Sequence, residues 1–358
     1  MKLLMYGVNQ ETVMKEDIHK YLLNDEEKEI QMNDISQLEG VDEIIILSDD
    51  FRNEYFLYVD EEIFSHGEFL RYIANKTSKT LQEVILETYS KFNEDVLRHL
   101  YELTTGYLST PVGSFRDLRT AEKTLAFAKN MHMNAPIVDK MFNRAIYLGY
   151  ALKLVDEIMP LNQGRISHYI PLLKEYITDF SKKNYLISGT DDEVYFLTKL
   201  LLFADAQTVT IIQKDEEESV KQFDYLKKYF NENERSRIYP MIQKSLYYRL
   251  AKMDVAIIDA SLLNIFEHRI QEEVAVIRQT QKIQYLIDTS EGEKEDLKFP
   301  SNDLQYINGD SQVTYTKEEK EAALTSFEKE LSSEVDNFMD FVQSMQVSET
   351  IQAKEITY

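Results

Sequence analysis

The sequence predicts a multidomain α/β protein: an N-terminal α+β domain, a doubly wound parallel domain, and a long C-terminal helix. Three observations predict it. Short β-branched runs near the N-terminus are separated by stretches of apolar spacing nearer 3.6. Beyond residue 160, short apolar strands alternate with helical segments, the pattern of a parallel sheet with crossover helices. Residues 316–345 are charged and carry one recurring apolar stripe.

The elements follow in order. Residues 3–8 read as a strand, as do Glu43-Ile44-Ile45-Ile46-Leu47-Ser48 and Tyr55-Phe56-Leu57-Tyr58-Val59. Through 61–104, Phe64, Phe69, Leu70, Ile73, Leu81, Val84, Ile85 and Tyr89 fit helix faces, and 115–130 and 135–158 read as helices. Pro160 and Asn162-Gln163-Gly164 break the chain. The second domain opens on a strand at 184–189. A helix at 194–203 and strands at 208–212, 255–258 and 285–287 follow, a Rossmann-like order. Residues 291–315 are polar and turn-rich. Ala322, Leu324, Phe327, Leu331, Val335, Phe338, Phe341 and Val342 form the final stripe, which fits a solvated helix with one apolar face or an interdomain or dimerising helix. The expected domains are 1–158, 159–295 and 296–358.

Composition excludes several chemistries. With no cysteine in 358 residues, there is no disulfide framework, thiolate metal site or cysteine nucleophile. No apolar run approaches ~18 residues, so no membrane span is expected and a cytoplasmic location is the default. The 40 basic and 63 acidic residues give a net charge of −23, which opposes nonspecific phosphate binding. A local basic face remains open to Arg116, Arg119, Lys123 and Lys129; the first three share one side of a helix if that stretch is helical. The six histidines (His19, His66, His99, His132, His168, His268) include no i, i+4 pair, and no metal site is expected.

Collinear motifs then point to one family. These are Gly7-Val8-Asn9-Gln10-Glu11-Thr12; the strand ending Leu47-Ser48-Asp49-Asp50-Phe51-Arg52-Asn53-Glu54; Val96-Leu97-Arg98-His99-Leu100; Thr105-Gly106-Tyr107-Leu108-Ser109; Met141-Phe142-Asn143-Arg144-Ala145 with Gly149; and Ser348-Glu349-Thr350-Ile351-Gln352-Ala353. In order and spacing the sequence resembles the glutamyl-tRNA reductases of tetrapyrrole biosynthesis. The resemblance implies an N-terminal catalytic domain, a nicotinamide-binding domain and a spinal helix leading to a dimerisation region. It also implies a thiolate that attacks the glutamyl ester and NADPH that reduces the acyl-enzyme. Arg52, Glu54, His99 and Ser109 match positions of the glutamate pocket.

The departures fall on the chemistry. Asp50 stands at the thiol position. A carboxylate attacking an ester would give a high-energy anhydride. Phe51 replaces the neighbouring Asn, and Val112-Gly113-Ser114-Phe115-Arg116-Asp117 lacks the family's Glu and Gln. The Gly-x-Gly-x-x-Gly stretch is reduced to Gly189-Thr190-Asp191-Asp192-Glu193-Val194. A like charge ~4 Å from a phosphate costs roughly 4 kcal/mol at an effective dielectric near 20. Asp191 and Asp192 read instead as caps of the next helix. Lys214 alone stands where the family grips the 2′-phosphate.

The expectation is a non-catalytic reductase-like protein, regulatory or binding, with NADPH binding lost and no cofactor. Its expected partners are the active reductase, its aminotransferase partner or glutamyl-tRNA, with a reduced dimer module and pairing through the C-terminal helix. The competing expectations are altered chemistry using Asp50, Arg52 and His99, and a tetrapyrrole-binding sensor with a His or Tyr axial ligand.

Overall fold

The computed structural model describes residues 1–131, 135–164, 166–213, 215–242, 252–258, 284–289, 305–309, 311 and 313–356, with the backbone alone from 347. Two compact units form: Met1–Leu152 together with Glu321–Tyr358, and Lys153–Lys320.

The first unit holds β1 (Lys2–Asn9), α1 (Asp25–Ser36), β2 (Val41–Ser48), β3 (Arg52–Val59), α2 (His66–Thr77), α3 (Leu81–Glu87), β4 (Tyr89–Phe92), α4 (Glu94–Thr105), α5 (Arg116–Asn130) and α6 (Pro136–Ala151). Its antiparallel sheet has the order β2-β3-β1-β4. Successive strand residues point to opposite faces. Tyr55 therefore packs edge-on against Phe69 of α2, while Phe56 packs edge-on against Phe142 of α6. Both faces are covered, so β1, β2 and β3 are buried along most of their length rather than on alternate residues. Arg52 and Glu54 share the Phe56 face.

The second unit holds α7 (Tyr169–Tyr176), β5 (Asn184–Ile187), α8 (Asp191–Phe203), β6 (Thr208–Gln213), α9 (Glu216–Lys227), α10 (Glu232–Ser236), β7 (Ile238–Ile242), β8 (Val255–Ile258), β9 (Tyr285–Asp288) and β10 (Gln305–Asn308). Every pairing in its sheet is parallel, and the order is β10-β9-β8-β5-β6-β7. The order reverses at β5, which is the doubly wound arrangement.

The last helix, α11 (Lys317–Ile356), runs beyond the expected 316–345. Its stripe is buried on the first unit through Ala323, Phe327, Leu331, Val335, Phe338 and Val342. Ala323, not the expected Ala322, continues the stripe; Ala322 is exposed. Arg98 donates to Glu328 at 2.7 Å and to Ser332 at 2.9 Å, and Arg144 forks onto Glu334 at 2.5 and 2.7 Å.

Three strands depart from expectation. Tyr89–Phe92 is β4, not helix; Gln305–Asn308, in the turn-rich stretch, is β10; and Ile238–Ile242 is β7. The helix expected over 135–158 is α6 to Ala151, then short 3-10 turns at Leu152–Leu154 and Asp156–Leu161.

Candidate functional site

Local sequence builds the first unit's site. β1 ends at Asn9, whose side chain accepts from Glu11 N at 2.9 Å and Thr12 N at 3.1 Å, turning the chain. Gly7 pairs with Glu54 on one side and Tyr89 on the other. A Cβ there would lie 2.7 Å from Tyr89 Cζ and 3.0 Å from Glu54 Cγ. With none, the Tyr89 hydroxyl donates to Glu54 Oε1 at 2.7 Å.

His99 reaches the same oxygen. It lies on α4, whose Val96, Leu97, Leu100, Tyr101 and Leu103 are buried. That face directs the imidazole inward, and Nε2 donates to Glu54 Oε1 at 2.9 Å. Arg52, two residues before Glu54, places Nη1 3.6 Å from the same oxygen. Glu54 is 0% exposed. Burial opposes its ionisation, but His99, Arg52 and the Tyr89 hydroxyl outweigh it and bring the carboxyl down to about 2. The same carboxylate, after burial, pushes the Tyr89 phenol up.

α4 ends at Gly106 in the left-handed conformation, with the Ser114 backbone packed against it. The loop that follows brings Ser109 to α5. Ser109 Oγ donates to Asp117 Oδ2 at 2.5 Å, and Asp117 is 1% exposed. Arg52 Nη2 lies 3.8 Å from Asp117 Oδ1. Asp49 closes the β2–β3 turn by accepting from Phe51 N at 2.8 Å and Arg52 N at 3.1 Å. Burial would weaken the Arg52 charge; Glu54, Asp117 and Asp49 reverse this and hold it above the ordinary guanidinium value. Burial pushes the Asp49 carboxyl up.

Arg52, Glu54, His99 and Ser109 thus gather in one buried cluster. Asp50 does not join it. It is exposed in the turn before β3, and Asp49 faces Arg52 instead. Asp50 lies outside β3, which begins at Arg52. Sequence reasoning missed Tyr89, Asp49 and Asp117. Asp117 reads locally as a first-turn acid of α5, and only the tertiary fold buries it. Arg116, Arg119 and Lys123 lie on α5. Burial, then Arg119 and Lys28, push the Lys123 ammonium down, so these cations are close together.

In the second unit, Gly189 follows β5 at the turn into α8. The N-cap of α8 is Thr190, not the expected Asp191 or Asp192, which stand in the first turn. Glu193 Oε2 accepts from Thr190 N at 2.9 Å and Oγ1 at 3.0 Å, a capping box. The helix N-terminus that would hold a dinucleotide pyrophosphate carries the chain's own carboxylate. These residues do not fit that group. Lys214 lies outside the described residues, as do His132 and His268.

Residues 6–153 match the family model of the glutamyl-tRNAGlu reductase N-terminal domain. This chain resembles glutamyl-tRNA reductases. The reductase of Halalkalibacterium halodurans is 24% identical over 224 residues, 62% of this chain and 48% of that protein. The reductase of Saccharolobus solfataricus is 23% identical over 210 residues, 57% of this chain and 46% of that one. The chain spans about half the length of the curated reductases it matches. The solved glutamyl-tRNA reductase from Methanopyrus kandleri aligns with 96% of this chain and 80% of its own, at 16% identity and a TM-score of 0.49. The matched domain contains the whole Arg52–Glu54–His99–Ser109 cluster.

Proposed function

We propose that this chain is a non-catalytic glutamyl-tRNA reductase-like protein with a binding or regulatory role in tetrapyrrole biosynthesis. One observation carries the reading: its 358 residues contain no thiol. The family position holds Asp50, exposed in a turn and apart from the buried cluster. An exposed carboxylate has neither the nucleophilicity of a thiolate nor an activating partner. Loss of NADPH binding belongs to the same reading. The Glu193 capping box and the acidic first turn of α8 support it, because both oppose a pyrophosphate.

The scaffold is kept while these reactive parts change. That pattern favours engagement of the active reductase, its aminotransferase partner or glutamyl-tRNA. On an otherwise acidic chain, the neighbouring Arg119 and Lys123 of α5 would be the point of contact for an RNA backbone.

The test has two arms. This chain alone, given NADPH and charged glutamate tRNA, is expected to form no glutamate semialdehyde; measurable semialdehyde overturns the non-catalytic reading. Added to the active reductase with its aminotransferase and tRNA, it is expected to change the rate saturably. No rate change, together with no retention of reductase, aminotransferase or tRNA, overturns the binding reading.

A further inference from the structure

We propose that Asp117 is a built-in carboxylate ligand of the Arg52–Ser109 pocket, so that the chain's own side chain fills the place of a carboxylate-bearing ligand. The proposal deepens the binding reading above by setting the selectivity of this site. Its test uses neither tRNA nor a partner protein, so the two can fail separately.

The geometry of Arg52 is the first support. Its contacts to Glu54 and Asp117, at 3.6 and 3.8 Å, are ion pairs longer than hydrogen bonds. Its Nε is buried with no hydrogen-bond partner among the described residues. A guanidinium has five donors in a planar fork and satisfies them best on a bidentate carboxylate. Arg52 is therefore neutralised without being saturated. Nη2, which approaches Asp117, and Nε form the edge of the fork that a carboxylate grips.

Ser109 is the second support. Its hydroxyl donates to Asp117 at 2.5 Å, and both residues are buried. Asp117 thus holds one oxygen toward a hydroxyl and the other toward a guanidinium, as a bound carboxylate would. Its chain neighbour Arg116 is exposed, with Nε 3.4 Å from Asp117 and its guanidinium 4.5 Å from the Phe51 ring, so the pocket lies one residue below the surface. With Asp49, Glu54 and Asp117 facing one Arg52, carboxylates outnumber the guanidinium. Asp117 already takes the Ser109 hydroxyl and faces the guanidinium, so a further carboxylate is opposed by charge and by the occupied donor. In consequence this pocket does not read the glutamyl group of a charged tRNA.

The experiment compares thermal melting of the wild type and Asp117→Ala in sodium acetate, sodium L-glutamate and sodium chloride at equal ionic strength. The wild type is expected to respond alike to all three salts. Asp117→Ala is expected to be stabilised saturably by acetate and L-glutamate over chloride, with at least tenfold tighter apparent carboxylate binding than the wild type. A folded variant that responds alike to all three salts overturns the proposal, as does a wild type that binds acetate as tightly as the variant. If the variant does not fold in chloride, its refolding yield in acetate is the readout. A yield higher than in chloride supports the proposal, and an equal yield overturns it.

Discussion

Glu54 carries the most consequential charge in the first unit. One of its oxygens receives the Tyr89 hydroxyl and the His99 Nε2, with Arg52 Nη1 at 3.6 Å. Its carboxyl falls from the ordinary 4.5 to about 2 in the folded chain. A depressed folded pKa means that the unfolded chain binds more protons between these values. The stabilisation is therefore present above pH 4.5 and lost as pH falls toward 2. At about 1.4 kcal/mol per pKa unit it is on the order of 3 kcal/mol. Urea unfolding across this window should show the loss in the wild type and a shallower slope in Glu54→Gln. At pH 7, that variant should be less stable by roughly 3–5 kcal/mol, because it breaks a buried pair. Gly7 permits the same arrangement. Gly7→Ala places a methyl within 3.0 Å of Tyr89 and Glu54 and should cost about 1–3 kcal/mol in the same measurement.

At the scale of elements, the junction of β2 and α6 titrates in the opposite sense. α6 has no side-chain cap of its own at Ala135. Glu43 of β2 supplies one across the fold, accepting from Ile137 N at 3.0 Å and Val138 N at 2.7 Å. The position suits a carboxylate at a helix N-terminus, yet burial dominates and pushes the carboxyl up to about 7. A raised folded pKa means that the native chain binds more protons between 4.5 and 7. This contribution is full below pH 4.5 and lost as pH rises through 7. Glu43→Gln should remove that slope, read as the difference between wild-type and variant unfolding free energies from pH 4.5 to 8. The unexpected strands belong to this scale too. β4, β7 and β10 each lie at an edge of their sheet. An edge strand is covered less and patterned more weakly: β7 even contains Pro240, which an edge tolerates.

At the scale of the molecule, α11 returns the chain to its first unit. Leu331 is fully buried in its stripe. Leu331→Ala should cost the first unit roughly 2–5 kcal/mol, measured as a lower denaturant midpoint. Net charge acts on the whole chain as well. At −23, self-repulsion destabilises the compact state, and salt screens it over a Debye length of about 10 Å at 0.1 M. The melting temperature should rise as sodium chloride increases from low to physiological ionic strength.

The sequence alone specified the fold class, the central strands and the long helix. Each is encoded locally: Ile44 to Leu47 as an apolar run, Phe327 to Val342 at helical spacing. It also determined the absence of a thiol in these residues and, through ordered motifs, the resemblance to the reductases. Arg52, Glu54, His99 and Ser109 were legible only because the motifs marked them; nothing local distinguishes them from other polar residues. Tertiary structure decided which charges meet. Asp117 and Tyr89 lie 63 and 35 residues from Glu54 in sequence, and their burial depends on strand pairing and helix docking rather than on their neighbours. It also decided that Asp49, not Asp50, faces Arg52, because Asp49 closes the turn by accepting from the Phe51 and Arg52 backbone N–H groups. Periodicity records what a segment buries. The identity of the partner across the interior is set by long-range packing, which no local pattern carries.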